Sequence, residues 1–179
     1  MQFRNNEQHF GWVSIVLHWS MAILMLALLA MGLYMTRIPL SPRQLSLFRW
    51  HKEIGMLVLF LAFLRVFWRQ ANILPSLAAL PLWESLAARS VHWIFYVLMF
   101  VLPISGWLLS SAAGISVSFF GWFVFPDLLA SSENQRLFLT NVHDWLAYFL
   151  IAVFCLHSAA ALKHHFINRD QILRRMLWP

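Results

Sequence analysis

With 179 residues, 61% of them hydrophobic and only 11% charged, the chain lies far from the about 25% charged residues of a soluble domain. Its formal charge of +6 does not call for nucleic acid, because basic residues in a membrane protein decorate the ends of its spans. The single cysteine, Cys155, excludes an intrachain disulfide and a Cys-x-x-Cys-His attachment of c-type haem.

The apolar residues come in blocks, and crossing about 30 Å of hydrocarbon takes about 20 helical residues. The first block, residues 12–35, reads "WVSIVLHWSMAILMLALLAMGLYM". It is too long for a signal-peptide core and no small-residue cleavage site follows it, so it reads as a retained span. A linker with Pro39 and Pro42 leads to a second block at about 50–68. A stretch with Pro75 and Pro81 leads to the third, about 90–111, where Pro103 predicts a kink. The fourth covers about 140–166. Between the last two lies an aromatic run, "GISVSFFGWFVFPDLLA", broken by Gly121 and Pro126 and short for a span. Residues 112–139 are therefore expected to form an interfacial outer loop, since Trp and Phe favour that layer.

The expected fold is an all-α membrane protein, one domain over residues 1–179 built as a four-transmembrane-helix bundle. Arg4, Arg65, Arg69, Arg89, Lys163, Arg169, Arg174 and Arg175 fall on the side of the termini, against Arg37, Arg43, Arg49, Lys52 and Arg136 opposite. That excess puts both termini in the cytoplasm.

This topology fixes the depth of each histidine. His18 lies near the cytoplasmic side of the first span, and His51 opens the second at the outer face. His143 opens the fourth at the outer face, and His157, fourteen residues on, lies about 21 Å deeper on the same side of the helix. The four form two pairs, His18 with His157 inside and His51 with His143 outside. Two imidazoles facing each other at one depth suit a six-coordinate haem b, whose porphyrin supplies the other four nitrogens. Gly55, Ala147, Ala160 and Ala161 follow these histidines by about a turn and would let a flat macrocycle approach, or would simply help helices pack. Arg65, fourteen residues after His51, returns to the inner level, where it serves a haem propionate or snorkels to the surface. Arg49 and Lys52 stand in the same position for the outer haem. Zinc or copper would need three or four ligands converging at one depth, where each depth offers mainly two. A haem-free transporter with protonatable intramembrane histidines is the competing class. Absence of b-type bands from a reduced-minus-oxidised spectrum would favour it.

The motifs "GWVSIVLHWSMA", "FRWHKEIGMLVLFLAFLRVFWR" and "NVHDWLAYFLIAVFCLHSAAALKHHFINRDQILRRM" together resemble bacterial cytochrome b561, the family grouped with the cytochrome b subunits of nickel-iron hydrogenases. The resemblance covers nearly the whole chain and carries the family's four haem ligands onto His18, His51, His143 and His157. It implies an inner-membrane cytochrome with two b haems that moves electrons between the quinone pool, ubiquinone in particular, and a periplasmic partner. One branch oxidises superoxide at the outer face and reduces ubiquinone. Such a protein would be an oxidoreductase of superoxide:quinone type. Arg43 and Lys52 at the outer face read equally as attracting such an anion or as exposed salt-bridge residues. "GISVSFFGWFVFP" looks closer to a different branch. The alternative implied by the same resemblance is a membrane-anchoring cytochrome b subunit of a larger oxidoreductase. His92, at the cytoplasmic start of the third span, reads as an interfacial residue or part of a quinone site. His164 reads as a proton relay to quinone or a solvated basic end. The aromatic outer surface suits lipid or a second copy of the chain.

Overall fold

A computed structural model of the chain describes residues 2–76 and 80–178. Residues 77–79 of the second linker, and positions 1 and 179 of the expected domain, lie outside the described residues. Four long helices follow in chain order: α1 (Trp12–Met35), α2 (Pro42–Gln70), α3 (Leu82–Ala112) and α4 (Glu133–Lys163).

Three of the helices begin well before the apolar blocks that announce them. The Ser41 side chain caps α2 by accepting from the Gln44 amide at 3.2 Å, and Pro42 at the first helical position needs no donor. α2 therefore starts at Pro42 rather than 50. α3 starts at Leu82 rather than 90, directly after Pro81. α4 starts at Glu133 rather than 140, taking the end of the expected outer loop into the helix. Hydropathy marks the residues that suit hydrocarbon, whereas the hydrogen-bond ladder continues into water wherever a cap allows. At its other end α4 gives way to a π-helical turn over His164–Asn168, closed by Arg169 in the left-handed conformation (φ 53°). α3 runs unbroken through Pro103.

The connection after α3 contains the one strand pairing among the described residues, a ribbon of β1 (Ser118–Phe119) paired antiparallel with β2 (Phe123–Val124). Its turn places Phe120 (φ 50°) and Gly121 (φ 77°) left-handed, with the Trp122 amide donating to the Phe119 carbonyl at 3.0 Å. Two left-handed central residues match the twist of a hairpin. Val117, 2% exposed, packs on Met56 and Leu59 of α2, and Trp107 Nε1 donates to the Pro126 carbonyl at 3.1 Å. The segment thus folds back as a cap over one end of the bundle.

Both ends of the chain meet at the opposite end. Asn5, buried, donates to the Ile73 carbonyl and accepts from the Gly11 amide and the Ser14 hydroxyl. Trp19 Nε1 donates to the Met176 carbonyl at 2.8 Å. Lys163 Nζ donates to Glu84 Oε1 at 2.8 Å, tying the start of α3 to the end of α4. α1 packs on α2, α2 on α3 and α3 on α4, around a core of Met21, Val58, Ala62 and Met99. Phe67, Trp93 and Trp145, each more than 70% exposed, face outward, as a lipid-facing surface requires.

α1, α3 and the segment Glu133–Asn168 are long and apolar enough to cross a membrane. With all four long elements helical, this is an all-α membrane protein carrying one small ribbon. α2 is less apolar because Arg49, Lys52 and Glu53 precede its apolar stretch and Arg65 and Arg69 follow it.

Candidate functional site

α4 carries His143 and His157 on one continuous helix, fourteen residues and about 21 Å apart. α2 carries His51 and Arg65 at the same spacing. At the cap end the rings of His51 and His143 lie 6.2 Å apart, centre to centre, with planes crossing at 75°. At the end of the termini those of His18, from α1, and His157 lie 6.3 Å apart, crossing at 63°. There Arg65 Nη2 is 3.0 Å from His18 Nδ1, so α2 and α4 run past each other over the same rise.

Whether these residues fit haem can be tested on the separations. Two metal–imidazole bonds of about 2 Å, plus about 1.1 Å from each nitrogen to its ring centre, span about 6.2 Å. Both pairs match that length. Two imidazoles on a shared axis can rotate about it, so neither crossing angle opposes joint coordination. Among the described residues no three His, Cys, Asp or Glu side chains converge to hold a bare ion. The donor set therefore suits a metal that brings its own equatorial ligands. A Cβ built on Gly55, one turn after His51, would meet nothing within 4 Å, leaving room for a flat group along that face.

The four rings differ in what surrounds them. Ser105 Oγ of α3 lies 2.8 Å from His143 Nδ1. His51 Nδ1 is buried with no hydrogen-bond partner among the described residues. Each of these two rings rests on a glycine of a neighbouring helix: a Cβ at Gly32 would stand 3.3 Å from His51 Cε1, and one at Gly106 3.2 Å from His143 Cε1. Sequence reasoning missed Ser105, Gly32 and Gly106. The one available signal was a glycine in a helix interior, which costs about 1 kcal/mol relative to alanine and so asks for a reason.

Arg65 can only donate, so in its pairing with His18 the ring proton sits on Nε2. Coordination of iron through Nε2 and this pairing exclude each other. An Arg65 released from the ring needs another acceptor, which a haem carboxylate supplies.

His92 is not solitary. Its ring centre lies 5.8 Å from that of His157, which also packs on Phe95 at 5.3 Å. The sequence shows no partner for His92 because α3 meets α4 only in the folded bundle. At that level the 6.3 Å of His18 matches shared coordination better than the 5.8 Å of His92. His164 turns to carboxylates, with Nδ1 2.5 Å from Asp170 Oδ2 and Nε2 3.9 Å from Glu84 Oε2. Of the cap-side cations, Lys52 Nζ donates to Ser110 Oγ at 3.3 Å, while Arg49 and Arg43 stack on Trp50 and Tyr34.

The sequence model of the family described as prokaryotic cytochrome b561 matches residues 9–179. Cytochrome b561 homolog 2 of Escherichia coli K12 is 38% identical over 187 residues, covering 99% of this chain and 95% of that protein. Cytochrome b561 homolog 1 of the same organism is 36% identical over 131 residues, 71% of this chain and 72% of its own. The probable superoxide oxidase CybB of Yersinia pestis is 29% identical over 183 residues, 96% of this chain and 97% of its own.

Proposed function

The chain belongs to the prokaryotic cytochrome b561 family, bacterial membrane proteins that bind b-type haem and carry electrons, and on that premise we propose that it moves electrons across the inner membrane through two haems. In this reading all four long helices span, with both termini in the cytoplasm and residues 1–179 forming one unit. His18 and His157 hold the inner haem iron and His51 and His143 the outer. Arg65 pairs with an inner propionate. The observation that carries the reading is the pair of ring separations, 6.2 and 6.3 Å, both set by α4.

Bound haem supplies reversible one-electron chemistry. The chain supplies the rest. α2 and α4 hold two ligand levels about 21 Å apart, which divides a barrier of about 30 Å into shorter steps. Met21, Val58, Ala62 and Met99 keep the middle apolar. Held by His18 with His157 and by His51 with His143, the two haems would have no open position for a ligand and would exchange electrons without bonding to a partner.

For the partners, we take ubiquinone as acceptor near His92, whose ring adjoins His157, with His164 between Asp170 and Glu84 on the path of the proton. Superoxide is the proposed donor at the outer face: two superoxide ions and two protons convert one quinone to quinol and release two dioxygen molecules. Lys52 and Arg43 favour an anion there.

The test is the reduced-minus-oxidised spectrum and haem count of the purified protein and of His18→Ala, His51→Ala, His143→Ala and His157→Ala. Wild type should show b-type bands at two haems per chain, and each variant should lose about half of its haem. A wild-type count near one, or variants at full content, would sink the paired reading. Superoxide-driven quinone reduction by the isolated protein tests the partners. Its absence, with a co-purifying oxidoreductase, would turn the assignment to an anchoring cytochrome b subunit.

A further inference from the structure

This inference rests on the reading that His51 and His143 hold a haem, and concerns a residue that reading leaves unused. Ser105 is 5% exposed and stands on α3 two residues beyond Pro103. Its hydroxyl has one hydrogen, donated to the Leu102 carbonyl at 2.7 Å. Toward His143 Nδ1, 2.8 Å away, the serine oxygen offers only a lone pair, and the Leu102 carbonyl stands beside it as a second acceptor for the same ring. His143 therefore carries its proton on Nδ1, and Nε2 keeps the lone pair that a metal needs. Donating to a carbonyl also polarises the hydroxyl into a better acceptor. The next residue, Gly106, leaves room for the same ring, since a Cβ there would lie 3.2 Å from Cε1 and 3.5 Å from Nδ1. One helical segment thus backs the ring and aims it.

No comparable arrangement is found at the other three histidines among the described residues. His51 Nδ1 has no partner and His18 Nδ1 faces the Arg65 cation. Arg65 and Arg69 both lie over the Tyr96 ring beside the inner pair, at 6.0 and 5.2 Å, whereas at the outer pair Lys52 is matched by the Glu53 carboxylate and His143 by that of Asp144. A ligand whose Nδ1 proton is drawn to an acceptor is more basic and favours the oxidised metal, whereas nearby cations favour the reduced one.

We infer that Ser105 is the positioning residue of the outer haem. By accepting from His143 Nδ1 it holds the coordinating tautomer and makes the outer haem the lower in potential of the two. Electrons then run downhill from the outer face to the inner side.

A mediated redox titration of the purified, haem-loaded full chain, followed in the visible spectrum, tests this. Wild type gives two one-electron waves, and the lower is the one missing from His51→Ala. Ser105→Ala moves that wave to higher potential and leaves the other in place, while Ser105→Thr, which keeps the hydroxyl, stays near wild type. The ferric electron paramagnetic resonance signal changes at one centre only. If Ser105→Ala instead loses the outer haem, retention by Ser105→Thr supports the same role, and loss by both overturns it. An unmoved lower wave, equal shifts in Ala and Thr, or loss of the upper wave in His51→Ala also overturns it. A wild type without two b-type waves would sink the two-haem reading itself, a result distinct from two waves that ignore Ser105.

Discussion

An imidazole has one proton and two nitrogens to put it on, so the group beside it decides which nitrogen is free for a metal. His143 and His18 stand beside opposite kinds of partner: Ser105 Oγ can accept a proton from Nδ1 of the first, whereas the Arg65 cation can only donate to Nδ1 of the second. The glycines act by space alone. At Gly106 an added methyl meets Cε1 at 3.2 Å, and overpacking of that kind costs about 1–3 kcal/mol, more than the about 1 kcal/mol an alanine returns in helix propensity. Gly106→Ala should therefore lower the melting temperature and the haem content, read by thermal denaturation in detergent and by haem count. At Gly55 the added methyl meets no protein atom within 4 Å, so Gly55→Ala should leave the stability of the haem-free chain unchanged or raise it by up to about 1 kcal/mol, although it narrows the room for a flat group beside His51. Equal losses in the two variants would refute the distinction. The His spacing was legible in the sequence, because fourteen residues of one helix give depth and side together. Ser105 was not, because its partner lies 38 positions away.

Among the elements, α4 carries two of the four histidines, while α2 was the hardest to read. It supplies His51 and Arg65, yet the charges at both ends of its apolar stretch hide its length. The helices start before their apolar blocks for a related reason: Ser41 and Pro81 set the starts, not hydropathy. The outer connection was read as an interfacial loop, and its ribbon went unseen because strands of two residues leave no period to detect. Gly121 carries that turn at φ 77°, where a residue with a Cβ pays about 1 kcal/mol of backbone strain even in open space. Gly121→Ala should make limited proteolysis between residues 115 and 125 faster, with the haem count unchanged. Loss of haem in that variant would mean the hairpin helps hold the site.

For the whole molecule, the decisive feature is that the chain ends meet at one end of the bundle and the cap covers the other. Trp19 reaches the tail at Met176, while Trp122 stands 84% exposed on the ribbon. If both termini are cytoplasmic, a cysteine at Trp122 in a Cys155→Ser background should react with a membrane-impermeant maleimide from the periplasmic side. One at Trp178 should react only after the membrane is opened. The reverse pattern would invert the assignment of outer and inner haems.

The sequence by itself determined that this is a helical membrane protein and which histidines share a depth, because both follow from local apolar length and helical rise. Only the tertiary structure decided which groups stand against those rings: Ser105, Arg65, His92 and the two glycines. Those neighbours come from other helices, and no periodicity within one helix records the face that another helix presents to it.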